Sequence, residues 1–238
     1  MNKLNDKVAY ITGGSKGIGY GIAKVLLENG MRVAITSRNI SAAQSAARSL
    51  SGDPSKVLPL ESDVSSLAAE TKAVKAVLDQ FGQLDVLVAN AGVGHFASIE
   101  DLTEADWKNT INTNLTGVFN SVKASIPALK QSKGYIVTIA SLAGTNFFVN
   151  GSAYNASKFG LVGFTQAIML DLRQHGIKVT TVMPGSVATY FNDHVPNEAD
   201  SWKIMPEDIG QIVVDLLNMH PRTLPSKIEV RPTIPGKG

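Results

Sequence analysis

Short apolar runs alternate along the whole chain with longer segments of helical period, and most of the runs end in glycine or a small polar residue. Residues 7–12, 32–36, 56–60, 85–89, 135–140, 178–183 and 227–230 read as strands, several of them nearly continuous in hydrophobicity, as strands buried on both faces are. Helical patterns fill the intervals. One runs over residues 17–29 before Gly30, one over 41–50, and one over 67–81 before Gly82. A long one covers 101–131, opened by Thr103 with Asp106 and bent near Pro127, and another runs from Tyr154 to about His175 before Gly176. The last opens at Pro206, with Glu207 and Asp208 favouring its dipole and Ile209, Ile212, Val213, Leu216 and Leu217 facing inward. Strands linked by crossover helices lie parallel, so the pattern predicts an α/β fold. The expected architecture is a doubly wound parallel sheet, a Rossmann fold, with helices on both faces and a single domain over residues 1–238. Residues 192–201 break the apolar pattern and read as a mobile surface excursion, and residues 232–238 as a frayed tail.

Composition narrows the chemistry. With no cysteine there is neither disulfide nor thiolate catalysis, and the four histidines show no metal-ligand spacing, so no metal is expected. A net charge of +2 without any basic run argues against nucleic acid as a partner. The opening residues MNKLNDKVAYITGG hold no signal-peptide core, and no run approaches the ~18 apolar residues of a membrane span. No membrane association is expected, and the cytoplasm is the expected location.

Two stretches carry the functional signal. The first strand enters Thr12-Gly13-Gly14-Ser15-Lys16-Gly17-Ile18-Gly19 and then a helix, the layout of a dinucleotide-binding element. The spacing G-x-x-x-G-x-G differs from the common G-x-G-x-x-G. At the end of the second strand stand Ser37 and Arg38, where NAD-binding chains usually place a carboxylate for the ribose 2′-hydroxyl; a guanidinium suits a 2′-phosphate. The second stretch is SLAGTNFFVNGSAYNASK, residues 141–158. Tyr154 and Lys158 share a helix face at a spacing of four, and Ser141 lies at the carboxyl end of its strand, where open α/β sheets bind ligands. The three suit proton transfer to a substrate oxygen, with the ammonium expected to pull the phenol below its ordinary pKa of about 10. Asn112 and Asn114, poor helix formers inside the long helix, read by themselves as solvent-facing.

Together these residues resemble the short-chain dehydrogenase/reductase family, over essentially the whole chain and in the family's motif order. The resemblance implies that Gly13, Ser15, Lys16, Gly17, Ile18 and Gly19 form the cofactor loop and that Asp63 and Val64 contact adenine. It implies that Asn90, Ala91 and Gly92 support the sheet centre beside the cofactor, and that Pro184, Gly185, Ser186, Val187, Ala188 and Thr189 form the loop under the nicotinamide. Asn114, Ser141, Tyr154 and Lys158 match the catalytic positions. Tyr154 is then the proton donor, Ser141 a hydrogen-bond donor to the substrate oxygen, Lys158 the group that binds the nicotinamide ribose, and Asn114 the anchor of a water chain. Lys16 and Arg38 imply NADP(H) as cofactor.

Three functions fit that resemblance. The first is an NADP-dependent carbonyl reductase or alcohol dehydrogenase acting on a small-molecule substrate. The second is a 3-oxoacyl-acyl-carrier-protein reductase, with Lys130, Lys133 and Arg173 as candidate docking cations, although the ending SKIEVRPTIPGKG departs from the V-D-G-G of such enzymes. The third is a non-catalytic NADP-binding protein, against which the intact catalytic residues argue. Phe147, Phe148, Tyr190 and Phe191 are expected to flank the substrate, with His95 and Phe96 near the mouth. Phe119, Val122, Phe159, Leu161, Phe164 and Ile168 read as exposed apolar residues of a homo-oligomer, dimer or tetramer, since the family pairs these helices.

Overall fold

The computed structural model describes residues 4–234, and the tail expected to fray lies at 235–238 outside them and, over 232–234, in bends and coil at the end of the chain. Seven parallel strands form one sheet: β1 (Val8–Ile11), β2 (Arg32–Ser37), β3 (Val57–Glu61), β4 (Val86–Ala89), β5 (Tyr135–Ile139), β6 (Lys178–Pro184) and β7 (Lys227–Val230). Their order is β3-β2-β1-β4-β5-β6-β7, so the winding reverses between β1 and β4 and leaves a crevice at the carboxyl ends there. The helices are α1 (Gly17–Glu28), α2 (Ile40–Leu50), α3 (Leu67–Phe81), α4 (Glu104–Ile111), α5 (Gly117–Ser132), α6 (Ser152–Leu172) and α7 (Pro206–Asn218). Alternate strand residues face opposite layers. Ala9, Ile11, Val33, Ile35, Val86, Val88 and Val137 pack with α1, α2 and α7, while Val8, Tyr10, Ala34, Leu87, Ile136 and Val179 pack with α3, α5 and α6. This is the predicted fold. None of the described helices is long and apolar enough to cross a membrane.

Three expectations need correction. The long helix over 101–131 is two helices joined by a π-turn, Asn112–Thr116, which shifts the backbone register beside the catalytic elements. Val122 and Leu161 are core residues and not an exposed face, because α5 and α6 bury them against the sheet. The excursion after β6 is organised by two 3₁₀ turns around Asp200, which is buried and accepts hydrogen bonds from His194 (2.5 Å), from Lys203 (2.5 Å) and from the Asn197 amide (3.1 Å). Lys203 and His194 hold its carboxyl well below the usual carboxylate range.

A buried acid in the second layer carries no sequence signal. Glu70 on α3 is fully buried and takes the Tyr10 hydroxyl (3.0 Å) and the Ser62 hydroxyl (2.6 Å) on Oε1, while Oε2 has no partner among the described residues. Burial first, then the Glu70 charge, pushes the Tyr10 phenol well above its ordinary value, so it stays a donor. Tyr10→Phe should therefore cost about 1–3 kcal/mol, the range for stranding a buried polar group. The double variant Tyr10→Phe with Glu70→Leu should recover most of it. Urea unfolding measures both, and an unchanged midpoint for Tyr10→Phe would show that Glu70 is satisfied without the phenol.

Candidate active site

The carboxyl edge of the sheet opens into a cleft of about 1390 Å³, larger than a drug-sized pocket and long enough for a dinucleotide with a small substrate. Its centre is the glycine loop. Gly13 and Gly17 adopt φ of +63° and +58°, a region that other residues avoid. The loop is tied to the sheet by Gly13 N–H to Thr36 Oγ1 (3.3 Å) and Gly14 N–H to the Thr36 carbonyl (3.0 Å). Across the switch point, Thr12 Oγ1 accepts the amides of Asn90 (3.0 Å) and Ala91 (3.1 Å), and Asn90 Nδ2 donates back to the carbonyls of Thr12 (2.9 Å) and Gly13 (3.2 Å). Asn90 thus locks β4 to the loop. Gly19 has a packing role, since a Cβ there would lie 2.5 Å from Asn90 Nδ2. No side chain caps α1 and no acid stands in its first turn, so its first N–H groups are free to meet an anion beside Ser15, Lys16 and Ile18 on the cleft wall. This donor set fits a pyrophosphate.

The outer end of the cleft fits the rest of a dinucleotide. Ser37 Oγ accepts the Asn39 amide (3.2 Å), and Asn39 Oδ1 caps α2 by taking the amides of Ser41 (2.8 Å) and Ala42 (3.3 Å). That turn leaves Arg38 exposed on the cleft wall, and neither it nor exposed Lys16 has a carboxylate partner among the described residues. Asp63 spends Oδ1 on the amide (2.9 Å) and hydroxyl (2.8 Å) of Ser65. Val64 is buried, and its carbonyl accepts Asn120 Nδ2 at 2.8 Å. Asn120, like Asn39, escaped the sequence reading, because a helix interior or a turn explains an asparagine equally well.

At the inner end the catalytic candidates converge. Asn114 is fully buried in the π-turn and not solvent-facing. Its Oδ1 accepts the Val93 amide (2.8 Å), and Nδ2 donates to the Val93 carbonyl (2.9 Å) and to Ser157 Oγ (3.0 Å). Both amide protons are committed, which leaves one lone pair of Oδ1 on the side of Gly92 and Lys158. Ser157 in turn donates to the Tyr154 carbonyl (2.7 Å), tying the π-turn to the first turns of α6. Lys158 is 4% exposed and donates to the Ile139 carbonyl at 3.1 Å, with Nζ 5.6 Å from the centre of the Tyr154 ring. Burial brings its pKa down to about 8. Ser141 opens the turn Leu142–Gly144 and accepts the Ala143 amide (3.1 Å), and its hydroxyl is hydrogen-bonded with the Tyr154 phenol. Asn155, another residue missed as functional, pins this loop to α6 through the carbonyls of Ala143 (2.7 Å) and Asn146 (2.8 Å).

The Tyr154 phenol departs from expectation. Burial pushes it up to about 12, opposed by the hydrogen bond with Ser141. Lys158 does not offset this, because its ammonium lies against the ring face and is bonded to the Ile139 carbonyl. At neutral pH the phenol is a proton donor.

The segment after β6 forms the remaining wall. Gly185 N–H reaches the Val230 carbonyl (2.8 Å), and Val187 pairs with Ile204. Pro184, Gly185, Val187 and Thr189 line the cleft, and Thr189 Oγ1 accepts the Phe191 amide (3.3 Å). Phe147, Phe148, Tyr190, Phe191 and His95 line it as well, with His95 Nε2 bonded to Asn109 Nδ2 at 3.0 Å.

Relatives agree with this geometry. A sequence model described as short chain dehydrogenase matches residues 7–200. The chain is 34% identical over 233 residues to an uncharacterised oxidoreductase of Staphylococcus aureus strain MW2, covering 98% of this chain and 100% of that one. Among solved structures, it superposes with a TM-score of 0.90 on an alcohol dehydrogenase of the archaeon Thermococcus sibiricus complexed with 5-hydroxy-NADP, at 28% identity over 96% of this chain and 97% of the other. A 3-ketoacyl-(acyl-carrier-protein) reductase of Brucella melitensis complexed with NADH gives 0.88, at 27% identity over 97% and 99%. A match of this extent, on a sheet wound in this order and ending in this cleft, makes the chain a member of the short-chain dehydrogenase family.

Proposed function

We propose that this oxidoreductase interconverts a carbonyl and an alcohol with NADP(H), using Tyr154 as the acid and base. The observation that carries the reading is a phenol held protonated beside the Ser141 hydroxyl and the buried Lys158, at the carboxyl edge of the switch point. The bound nicotinamide supplies or accepts the hydride; the protein supplies placement and field. In the reducing direction Tyr154 donates its proton to the carbonyl oxygen, and Ser141 donates a hydrogen bond to the same atom, stabilising the charge that grows there. Lys158 binds the nicotinamide ribose. Asn114 holds the backbone of Val93 and α6 in place around these groups and offers its remaining lone pair to water. Gly13, Ser15, Gly17 and Ile18 hold the pyrophosphate, Asp63 and Val64 the adenine, and Lys16, Ser37 and Arg38 the 2′-phosphate.

The acyl-carrier reading is the weaker one. Lys130, Lys133 and Arg173 stand at the ends of α5 and α6, just before β5 and β6 begin, so they lie on the amino edge of the sheet, opposite the cleft. A carrier docked on them would sit at the edge of the sheet away from Tyr154 of the same chain. Association into dimers or tetramers would use the part of the α5–α6 face that stays open, chiefly Phe119 and the Phe164 ring 6.3 Å from it.

Tyr154→Phe should lower kcat by about 10²–10⁴-fold while NADPH still binds. A variant that keeps more than about a tenth of the wild-type rate, against that range, removes Tyr154 as the acid. The wild type should favour NADPH over NADH by about two orders of magnitude in kcat/KM, from two charge-assisted phosphate contacts. Arg38→Asp should erase most of that ratio, and equal constants in the wild type would contradict the assignment. The lysine gives a pH prediction. Its pKa of about 8 should rise when an anionic cofactor favours the ammonium, so binding takes up a proton and weakens as pH climbs above about 8. Fluorescence titration with NADPH from pH 7 to 9.5 should show this decline in the wild type and not in Lys158→Met; a flat wild-type profile would separate the lysine charge from cofactor binding.

A further inference from the structure

The rings around Tyr154 define more than a greasy wall. Phe96 lies edge-on to Tyr154 at 5.4 Å between centroids and edge-on to Phe148 (5.7 Å) and Phe191 (6.2 Å). Phe191 and Phe148 also approach the Tyr154 ring, at 5.7 and 6.4 Å. No ring contact joins Phe148 to Phe191 among the described residues, so the two meet the phenol separately, and Phe96 touches both of them and Tyr154. Each of the three phenyl groups remains open: Phe96 is 37% exposed, Phe148 45% and Phe191 38%. Apolar aromatic surface is thus left uncovered at the position of the proton donor, where a bound molecule would cover it.

Three different segments bring these rings together, and two glycines make room for them. A Cβ on Gly94 would stand 2.5 Å from Phe191 Cζ and 2.9 Å from Phe96 Cζ, and one on Gly151 would stand 2.6 Å from Phe148 Cε2. The Asn150 carbonyl accepts the Ala97 amide (3.1 Å), fixing the Phe96 and Phe148 loops to one another. The charge around the box is already spent. Lys203 and His194 are both held by Asp200, Arg231 by Glu229, and His95 lies 3.4 Å from an Asp106 carboxylate oxygen. Lys158 is buried beneath the phenol. Apart from buried Lys158, no cation without a carboxylate beside it stands there among the described residues.

We propose that this box selects neutral carbonyl compounds bearing a flat aromatic ring at or next to the carbonyl, seated between Phe148 and Phe191 over Phe96, in preference to saturated carbonyl compounds of equal bulk. The inference rests on the carbonyl–alcohol reading above and names its substrate class. The carbonyl carbon takes the hydride, its oxygen takes the Tyr154 proton, and the dihydronicotinamide is oxidised by two electrons, leaving an aryl carbinol. An aromatic ring gains edge and face contacts with two or three phenyls that a puckered saturated ring cannot make as well. At about two- to twelvefold per aromatic pair, the preference should reach about tenfold or more.

The test pairs a phenyl with a cyclohexyl ketone of the same skeleton. NADPH-dependent reduction of phenyl trifluoromethyl ketone and cyclohexyl trifluoromethyl ketone gives a ratio of kcat/KM. Ligand-observed NMR titration of the cofactor-free protein with acetophenone and cyclohexyl methyl ketone gives a ratio of Kd. Both ratios are expected to favour the phenyl compound by about tenfold or more, and Phe96→Leu and Phe191→Leu should each bring them towards one, mainly through KM. A ratio near one in either wild-type experiment overturns the proposal while leaving a reductase. Failure to oxidise NADPH with any of a panel of aromatic, aliphatic and dicarbonyl compounds overturns the reductase reading itself, and the proposal with it.

Discussion

A lysine ammonium taken out of water at the heart of the cleft sets the terms for everything near it. Lys158 sits under the carboxyl end of β5 with only a backbone carbonyl to receive its proton, and burial draws its pKa down to about 8. Desolvation of a charge is costly unless the surroundings hold it in one geometry. The fold meets that requirement from two sides. From α6 comes the helical spacing that stacks the lysine beneath Tyr154; from the π-turn comes Asn114, whose amide fastens Val93 and, through Ser157, the backbone of Tyr154 itself. A regular helix over 104–132 would present a different residue to Val93. The π-turn is therefore part of the site's construction.

The same economy governs the cofactor side. Thr12, Asn90 and Thr36 tie the glycine loop to β1, β4 and β2, so the N–H groups that would face phosphate are held in place before any ligand arrives. Preorganisation of this kind leaves less ordering to be done on binding. The cations have the opposite treatment: Arg38 and Lys16 stand exposed on the wall with no carboxylate partner among the described residues, which suits a charged group that comes and goes.

Much of this was legible in the residues. The β/α alternation gave the sheet, because parallel strands buried on both faces write nearly continuous apolar runs and their helices end at Gly30, Gly82 and Gly176, all with positive φ. Ser141, Tyr154 and Lys158 were visible from spacing, and the cofactor loop from its place between strand and helix. Other features left no such mark. A π-turn has the composition of a helix, so by itself Asn114 looked like a poor helix residue on the outside, and only the family resemblance marked it as part of the site. Folded partners decide whether Asn120 and Asn155 clamp or merely solvate, Asn120 reaching the distant Val64 carbonyl and Asn155 the loop before its helix, while Asn39 caps α2 locally at a position where a turn would explain it as well. Glu70 defied its own kind, since an acid at a core position is apparent only once Tyr10 and Ser62 surround it. The sign of the Tyr154 shift depended on burial, which outweighs the hydrogen bond with Ser141.

The central claim is that this cleft moves a hydride to a carbonyl carbon while a phenol protonates the oxygen. Reduction of an aryl ketone with NADPH deuterated at the transferable position of the nicotinamide C4, followed by proton and deuterium NMR of the alcohol, tests it most directly. The account predicts one deuterium on the carbinol carbon in every product molecule and a solvent-derived, exchangeable proton on oxygen. Product with hydrogen from water on that carbon, or oxidation of the cofactor without formation of an alcohol, would contradict it.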